Sequence, residues 1–256
     1  MNDIFVYPLQ NSKEYKDIIN CINNKGSLLI NGLLAVQKPH IAYSMYRDLN
    51  RQTIFITNSD LEAKKVYDDL SFYMKDKVEY IGFQDILFYH LDAKDRSEEA
   101  KRLKVLLKLA KGENIILVTS IEAVMRKYIP KEILLENIYT YKIGDVINLE
   151  KLSETLVNLG YERVSKIEGF GQFSIRGGIV DIFSLEYNNP IRMELFDDEI
   201  DSIRTFDVFS QKSIEKINKF SITPSREFIY PENVEEAVDK IKKDTAKNTN
   251  EDVFLN

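Results

Sequence analysis

Four short β-branched and apolar runs, at residues 27–31, 53–57, 78–81 and 114–118, are separated by stretches with helical periodicity. Parallel strands need long crossovers, usually helices, and a sheet built this way is covered on both faces. This alternation constrains the first half of the chain to an α/β architecture more tightly than any other feature. The helix boundaries are marked too. Ser59 with Glu62, and Thr119 with Glu122, have the spacing of capping boxes. Val66, Tyr67, Leu70 and Tyr73 recur on one helical face, as do Leu103, Leu106, Leu107 and Ala110 in the segment after Ser97, which Gly112 stops.

The alternation ends near Tyr128. Asn148 caps one further helix, with Leu149, Leu152, Leu156 and Leu159 inward and Gly160 at its end. Strands then follow one another without helices, at 172–175, 178–184, 191–196 and 199–206. Asn188-Asn189-Pro190 and Asp197-Asp198 form the turns. Met193 and Leu195 alternate with Arg192, Glu194 and Phe196, the period of a half-buried strand. This half reads as α+β on an antiparallel sheet. A last helix is expected from Asn233 to about Thr245, with Asn233 and Glu236 as its capping pair and Val234, Val238 and Ile241 inward.

Charge narrows the function. Asp and Glu number 41 against 35 Lys and Arg, a net charge of −6. A dedicated duplex-DNA binder carries a basic excess, so DNA is not the expected direct partner. A single cysteine, Cys21, in a helical stretch with Ile18, Ile19 and Ile22, excludes an intrachain disulfide and reads as a small hydrophobe. His40 and His90 lack ligand partners at zinc spacing. The acidic group Asp197, Asp198, Glu199 and Asp201 is better explained by a turn than by a cation site. No metal site and no catalytic constellation is expected. With no signal-peptide pattern and no membrane-length apolar run, the expected location is the cytoplasm.

One motif is half present. The first apolar run leads into Gly32, and Gly32 and Lys38 keep the register of a G-x-x-x-x-G-K-[ST] phosphate loop. Gln37 stands where the second glycine belongs and Pro39 where the magnesium-binding hydroxyl belongs. Proline also lacks the backbone N–H. The loop Gly32, Gln37, Lys38, Pro39 is therefore expected to be non-functional, either a plain strand-to-helix connection or a vestige of an ATPase site.

The most specific signal is a series of segments: Gly160-Tyr161-Glu162-Arg163-Val164, then the run from Gly171 to Phe183 containing Phe173, Arg176, Gly177, Gly178 and Asp181, then Pro190 to Asp207 containing Arg192, Glu194, Phe196 and Asp197, continuing through Ser210-Gln211-Lys212-Ser213. It closely resembles the UvrB-homology region of the bacterial transcription-repair coupling factor (Mfd) family. The resemblance reaches back through Gly32 and Lys38 and covers essentially the whole chain. UvrB itself is the nearest competitor. The eroded phosphate loop argues against it, as does the short 83–91 stretch where UvrB-type proteins carry a long tyrosine-rich hairpin.

The resemblance implies a UvrB-like α/β domain over 1–128, an inserted α+β domain over 129–222, and a return segment over 223–256. It implies that the chain is the front part of a longer protein, with an ATP-driven DNA translocase and an RNA polymerase-binding domain further on. The function implied is a non-enzymatic adaptor that brings UvrA to stalled RNA polymerase in nucleotide excision repair. It needs no cofactor of its own, and a C-terminal domain of the full protein is implied to mask it. The alternatives are a UvrB-like protein or a residual nucleotide-dependent enzyme. Arg163, Arg176, Arg192 and Glu194 are the UvrA-binding candidates carried over by position, with Phe173 as an aromatic contact. Arginine forks grip carboxylates, and Arg192 and Glu194 share a strand face. The plain alternative is a solvated strand face for Arg192 and Glu194 and the core for Phe173. Ser174 stands where UvrB-type sequences often carry a further arginine.

Overall fold

The computed structural model describes residues 4–83 and 93–229, with two short helical pieces at 238–239 and 242–243; for 93–97 only the backbone is described. The chain divides into two compact units, Met1–Tyr128 and Ile129–Asn256.

The first unit begins with α1 (Tyr7–Gln10), α2 (Lys13–Asn23) and α3 (Gln37–Leu49), followed by β1 (Thr53–Thr57), α4 (Asp60–Met74), β2 (Val78–Ile81), α5 (Ala93–Ala110), β3 (Ile116–Ser120) and α6 (Ile121–Val124). The strands form a parallel sheet in the order β1-β3-β2. One face, with Val78, Ile116 and Val118, packs on Tyr43 and Tyr46 of α3 and on Ala63, Val66 and Leu70 of α4. The other face packs Ile81 and Leu117 on Val105, Leu106 and Leu109 of α5. The Ser59 hydroxyl caps α4 by accepting from the Glu62 N–H at 3.3 Å.

Two expectations for this unit are corrected. Residues 27–31 form no strand, and Leu28, Leu29 and Ile30 are exposed. A strand persists only where a neighbour takes its N–H and C=O groups. No described strand pairs with 27–31, and none lies beyond the outer edge of β1. The cap of α6 is Ser120, whose hydroxyl accepts from the Ala123 N–H at 3.3 Å, and not Thr119. Thr119 is still in β3 and donates its hydroxyl to the Ile81 carbonyl at 2.8 Å.

The second unit contains α7 (Lys131–Glu136), β4 (Tyr139–Lys142), α8 (Leu149–Asn158), β5 (Glu162–Arg163), β6 (Gln172–Arg176), β7 (Ile179–Ile182), β8 (Ile191–Phe196), β9 (Glu199–Phe206), β10 (Ser213–Lys216) and β11 (Lys219–Ile222). The main sheet runs β10-β9-β8-β7-β6-β5, antiparallel except for the β5–β6 pair, and β4 with β11 makes a separate ribbon. The short strands β4, β5, β10 and β11 carry too little alternation to be read from sequence.

Helix α8 is closed at both ends. Asn148 Oδ1 accepts from the Lys151 N–H at 3.0 Å. At the other end Gly160 N–H donates to Val157 O and Tyr161 N–H to Leu156 O, both at 2.9 Å, with Gly160 at φ +86. This is the Schellman arrangement, and it needs the left-handed conformation that glycine adopts without penalty. It turns the chain directly into β5. Leu152, Leu156 and Leu159 then pack on Phe173, Val180, Ile182, Ile191, Met193 and Ile203, the inner face of the sheet.

Thr223 and Ser225 stay with this unit. Tyr161 Oη donates to Thr223 O at 2.8 Å, and Ser225 N–H donates to Leu159 O at 2.9 Å. Apart from two short helical pieces, the expected helix at 233–245 lies outside the described residues, as does the 83–91 stretch beyond Phe83.

Candidate functional site: an ionic face on the second sheet

One face of the six-stranded sheet is taken by α8, so the alternate residues of each strand point the other way. Register aligns Ser174, Asp181, Arg192 and Arg204 across β6–β9, and Arg176, Ile179, Glu194 and Ser202 in the next row. At one end of this outer face the 164–170 loop closes a small apolar cluster of Ile167, Phe183 and Phe206. The middle of the face carries Arg176, Asp181, Arg192, Glu194, Ser202 and Arg204.

Asp181 organises it. Its side chain is only 3% exposed, yet it receives two arginines. Arg192 Nε donates to Oδ1 at 2.6 Å and Arg192 Nη2 to Oδ2 at 2.9 Å. Arg176 Nη2 donates to Oδ2 at 2.7 Å. Bidentate forks of this kind are the strong form of the ion pair. Arg192 is itself mostly buried, with 14% of its side chain exposed. It also lies 4.2 Å over the Phe206 ring and donates to Gln211 Oε1 at 3.1 Å. Asp181 hydrogen bonding is the main reason its guanidinium is held above the ordinary arginine range. Arg176 differs: 49% of its side chain remains exposed.

The second pair is Glu194 with Arg204. Arg204 Nη1 donates to Glu194 Oε2 at 2.8 Å, Nη2 donates to Oε1, and the Ser202 hydroxyl donates to Oε2 at 2.9 Å. The Arg204 hydrogen bonds hold the Glu194 carboxyl below the usual carboxylate range; partial burial opposes this, and Ser202 adds to it. A depressed folded value means the contribution is complete above the unfolded value, about 4.3 for glutamate, and is lost as pH falls through the folded one. Urea unfolding between pH 6 and 3 is expected to show stability falling on the acid side, with Glu194→Gln making that limb shallower.

The sequence candidates thus separate. Arg176, Arg192 and Glu194 come together on one face, but Arg192 and Glu194 are already paired internally. Arg163 is exposed on the short edge strand β5, in register with Phe173 and so on the opposite side of the sheet. Phe173, expected as an aromatic contact, is 0% exposed. It is a core residue, because its place in the β6 alternation puts it under α8. Asp181, Ser202 and Arg204 were missed. The signal for Asp181 was a lone carboxylate inside the apolar Ile179–Ile182 strand, where burial demands a partner.

Residues 32–36 lead into α3 without a preceding strand. Gly32 has φ +84 and α3 starts at Gln37. Gln37 Oε1 accepts from the Leu34 N–H at 2.9 Å, occupying a donor that a phosphate loop would aim at its anion. Lys38 is exposed and Pro39 is buried in the first turn of α3. Among the described residues, no group of three or more His, Cys, Asp or Glu side chains converges as a metal site.

The ionic face lies inside a recognisable domain: residues 140–228 match the UvrB interaction domain. Over almost its whole length the chain is similar to the transcription-repair-coupling factor of Bacillus subtilis (strain 168), 34% identical over 237 residues, 91% of this chain and 20% of the relative. It is likewise similar to the transcription-repair-coupling factors of Staphylococcus aureus (strain Mu50), 32% identical over 88% of the chain and 19% of the relative, and of Staphylococcus epidermidis (strain RP62A), 32% over 81% and 18%. The resemblance read from the sequence holds. The chain spans about a fifth of the length of the curated relatives it matches.

Proposed function

We propose that this chain acts in transcription-coupled repair as a non-catalytic adaptor, docking UvrA on the outer face of its second sheet. The observation that carries the reading is the buried Asp181 clamp within the UvrB interaction domain. It holds Arg176 in place while leaving half of that side chain to solvent. An arginine oriented in advance loses less freedom on binding a carboxylate than a free one. Gln37 filling the remnant loop supports a role without nucleotide chemistry. RNA polymerase and DNA are assigned to other parts of a longer protein, where ATP would also be used, and a C-terminal domain there would mask the UvrA face. No helix among the described residues is long and apolar enough to cross a membrane, and the proposed place of action is the cytoplasm.

Calorimetric titration of UvrA into the purified chain tests the reading. Saturable binding is expected, weakening with added salt because exposed charges are screened. Absence of heat and of complex by size-exclusion chromatography would overturn it.

A further inference from the structure

Two aromatic rings stand almost fully in solvent on either side of the ionic face: Phe196 is 81% exposed and Phe209 is 91% exposed. Single exposed apolar residues are ordinary. These two are distinguished by how firmly the backbone holds them.

Phe196 ends β8. The strand turns Ile191 and Met193 into the core, so Arg192, Glu194 and Phe196 share the outer face. Phe196 lies four residue steps along the strand from Arg192, about 13 Å.

Phe209 sits on the turn between β9 and β10, and nearly every group around it is tied. Asp207 Oδ1 accepts from Ser210 N–H at 2.8 Å and from Ser210 Oγ at 2.7 Å. Asp207 N–H donates to Lys212 O at 2.9 Å and Gln211 N–H to Asp207 O at 2.8 Å. Gln211 Nε2 donates to Val208 O at 2.7 Å, and its Oε1 accepts from Arg192. Gln211 also has φ +60, a left-handed conformation that costs a non-glycine residue energy and persists where its surroundings impose it. Val208, beside Phe209, packs on the Ile167, Phe183 and Phe206 cluster. The turn is thus fastened to the sheet on both sides of a ring that touches solvent.

We propose that Phe196 and Phe209 are the two aromatic anchors of the docking face, at the two ends of its Arg192–Glu194 strip, and fill apolar pockets on the protein partner. This rests on the UvrA reading above. A fixed backbone leaves only the two side-chain torsions of each ring to be ordered on binding, and aromatic and arginine side chains dominate interface hot spots. Charge identifies the kind of partner. Exposed Asp197, Asp198, Glu199 and Asp201 surround the Phe196 end and repel a phosphate backbone. The matching surface is a folded protein with basic groups around the Phe196 pocket and a carboxylate facing Arg176.

The test is UvrA titration against the wild-type chain, Phe196→Ala, Phe209→Ala and the double variant, with thermal melts alongside. Each single change is expected to weaken binding roughly tenfold, and the double variant more, with melting temperatures unchanged because both rings are outside the core. Wild-type binding with an unaffected double variant overturns this proposal and leaves the docking reading intact. No wild-type binding overturns the docking reading, and this proposal falls with it.

Discussion

Asp181→Ala is expected to destabilise the second unit by about 3–5 kcal/mol, because removing one partner of a buried pair leaves the other charge uncompensated. The charge left behind is Arg192, 14% exposed and wedged between Phe206 and Gln211. Arg176, half in water, adds little to the penalty. Urea unfolding followed by circular dichroism reads the loss directly. The double change Asp181→Leu with Arg192→Met is expected to recover much of it, since an apolar pair of similar volume removes both charges together. An unchanged unfolding midpoint for Asp181→Ala would mean that the clamp contributes nothing.

Phe173→Ala is the other large effect. Truncating a fully buried phenylalanine costs about 3–5 kcal/mol, the lost transfer energy plus the cavity left behind. The ring sits among Leu152, Leu156, Val180 and Met193, and the space cannot easily collapse against the clamped helix α8. This change distinguishes core from contact. Stability measured by urea unfolding is expected to fall sharply, while UvrA affinity, corrected for the folded fraction, stays at the wild-type value. Unchanged stability with lost affinity would restore Phe173 as an interface residue.

Much of the second sheet was legible because burial there is one-sided. Met193 and Leu195 alternate with Arg192 and Glu194, and period two leaves few other ways to place them. The site was only half legible for the same reason. Alternation tells which face Arg192 occupies, but its partner comes from β7 and its neighbour Arg204 from β9, and cross-strand register is a tertiary fact. The clamp therefore escaped, and Arg192 and Glu194 looked available when each is already engaged. For Phe173 the core alternative is the one that holds, and its own strand pattern, Phe173 and Ile175 against Ser174 and Arg176, places it inside. In the first unit, residues 27–31 have every local property of a strand and form none. Local propensity supplies the conformation, but only a neighbouring strand supplies hydrogen bonds.

The docking face stands or falls on the exposed arginine that the clamp presents. Arg176→Glu keeps a long charged side chain on a half-exposed position while turning attraction for a partner carboxylate into repulsion. Titration calorimetry of UvrA into wild type and Arg176→Glu, with melting curves confirming that both are folded, is the most direct measurement. Docking at this face predicts saturable wild-type binding and a loss of at least about 2 kcal/mol in the variant, the scale of an interface hot spot. Equal affinity for the two folded proteins would contradict it.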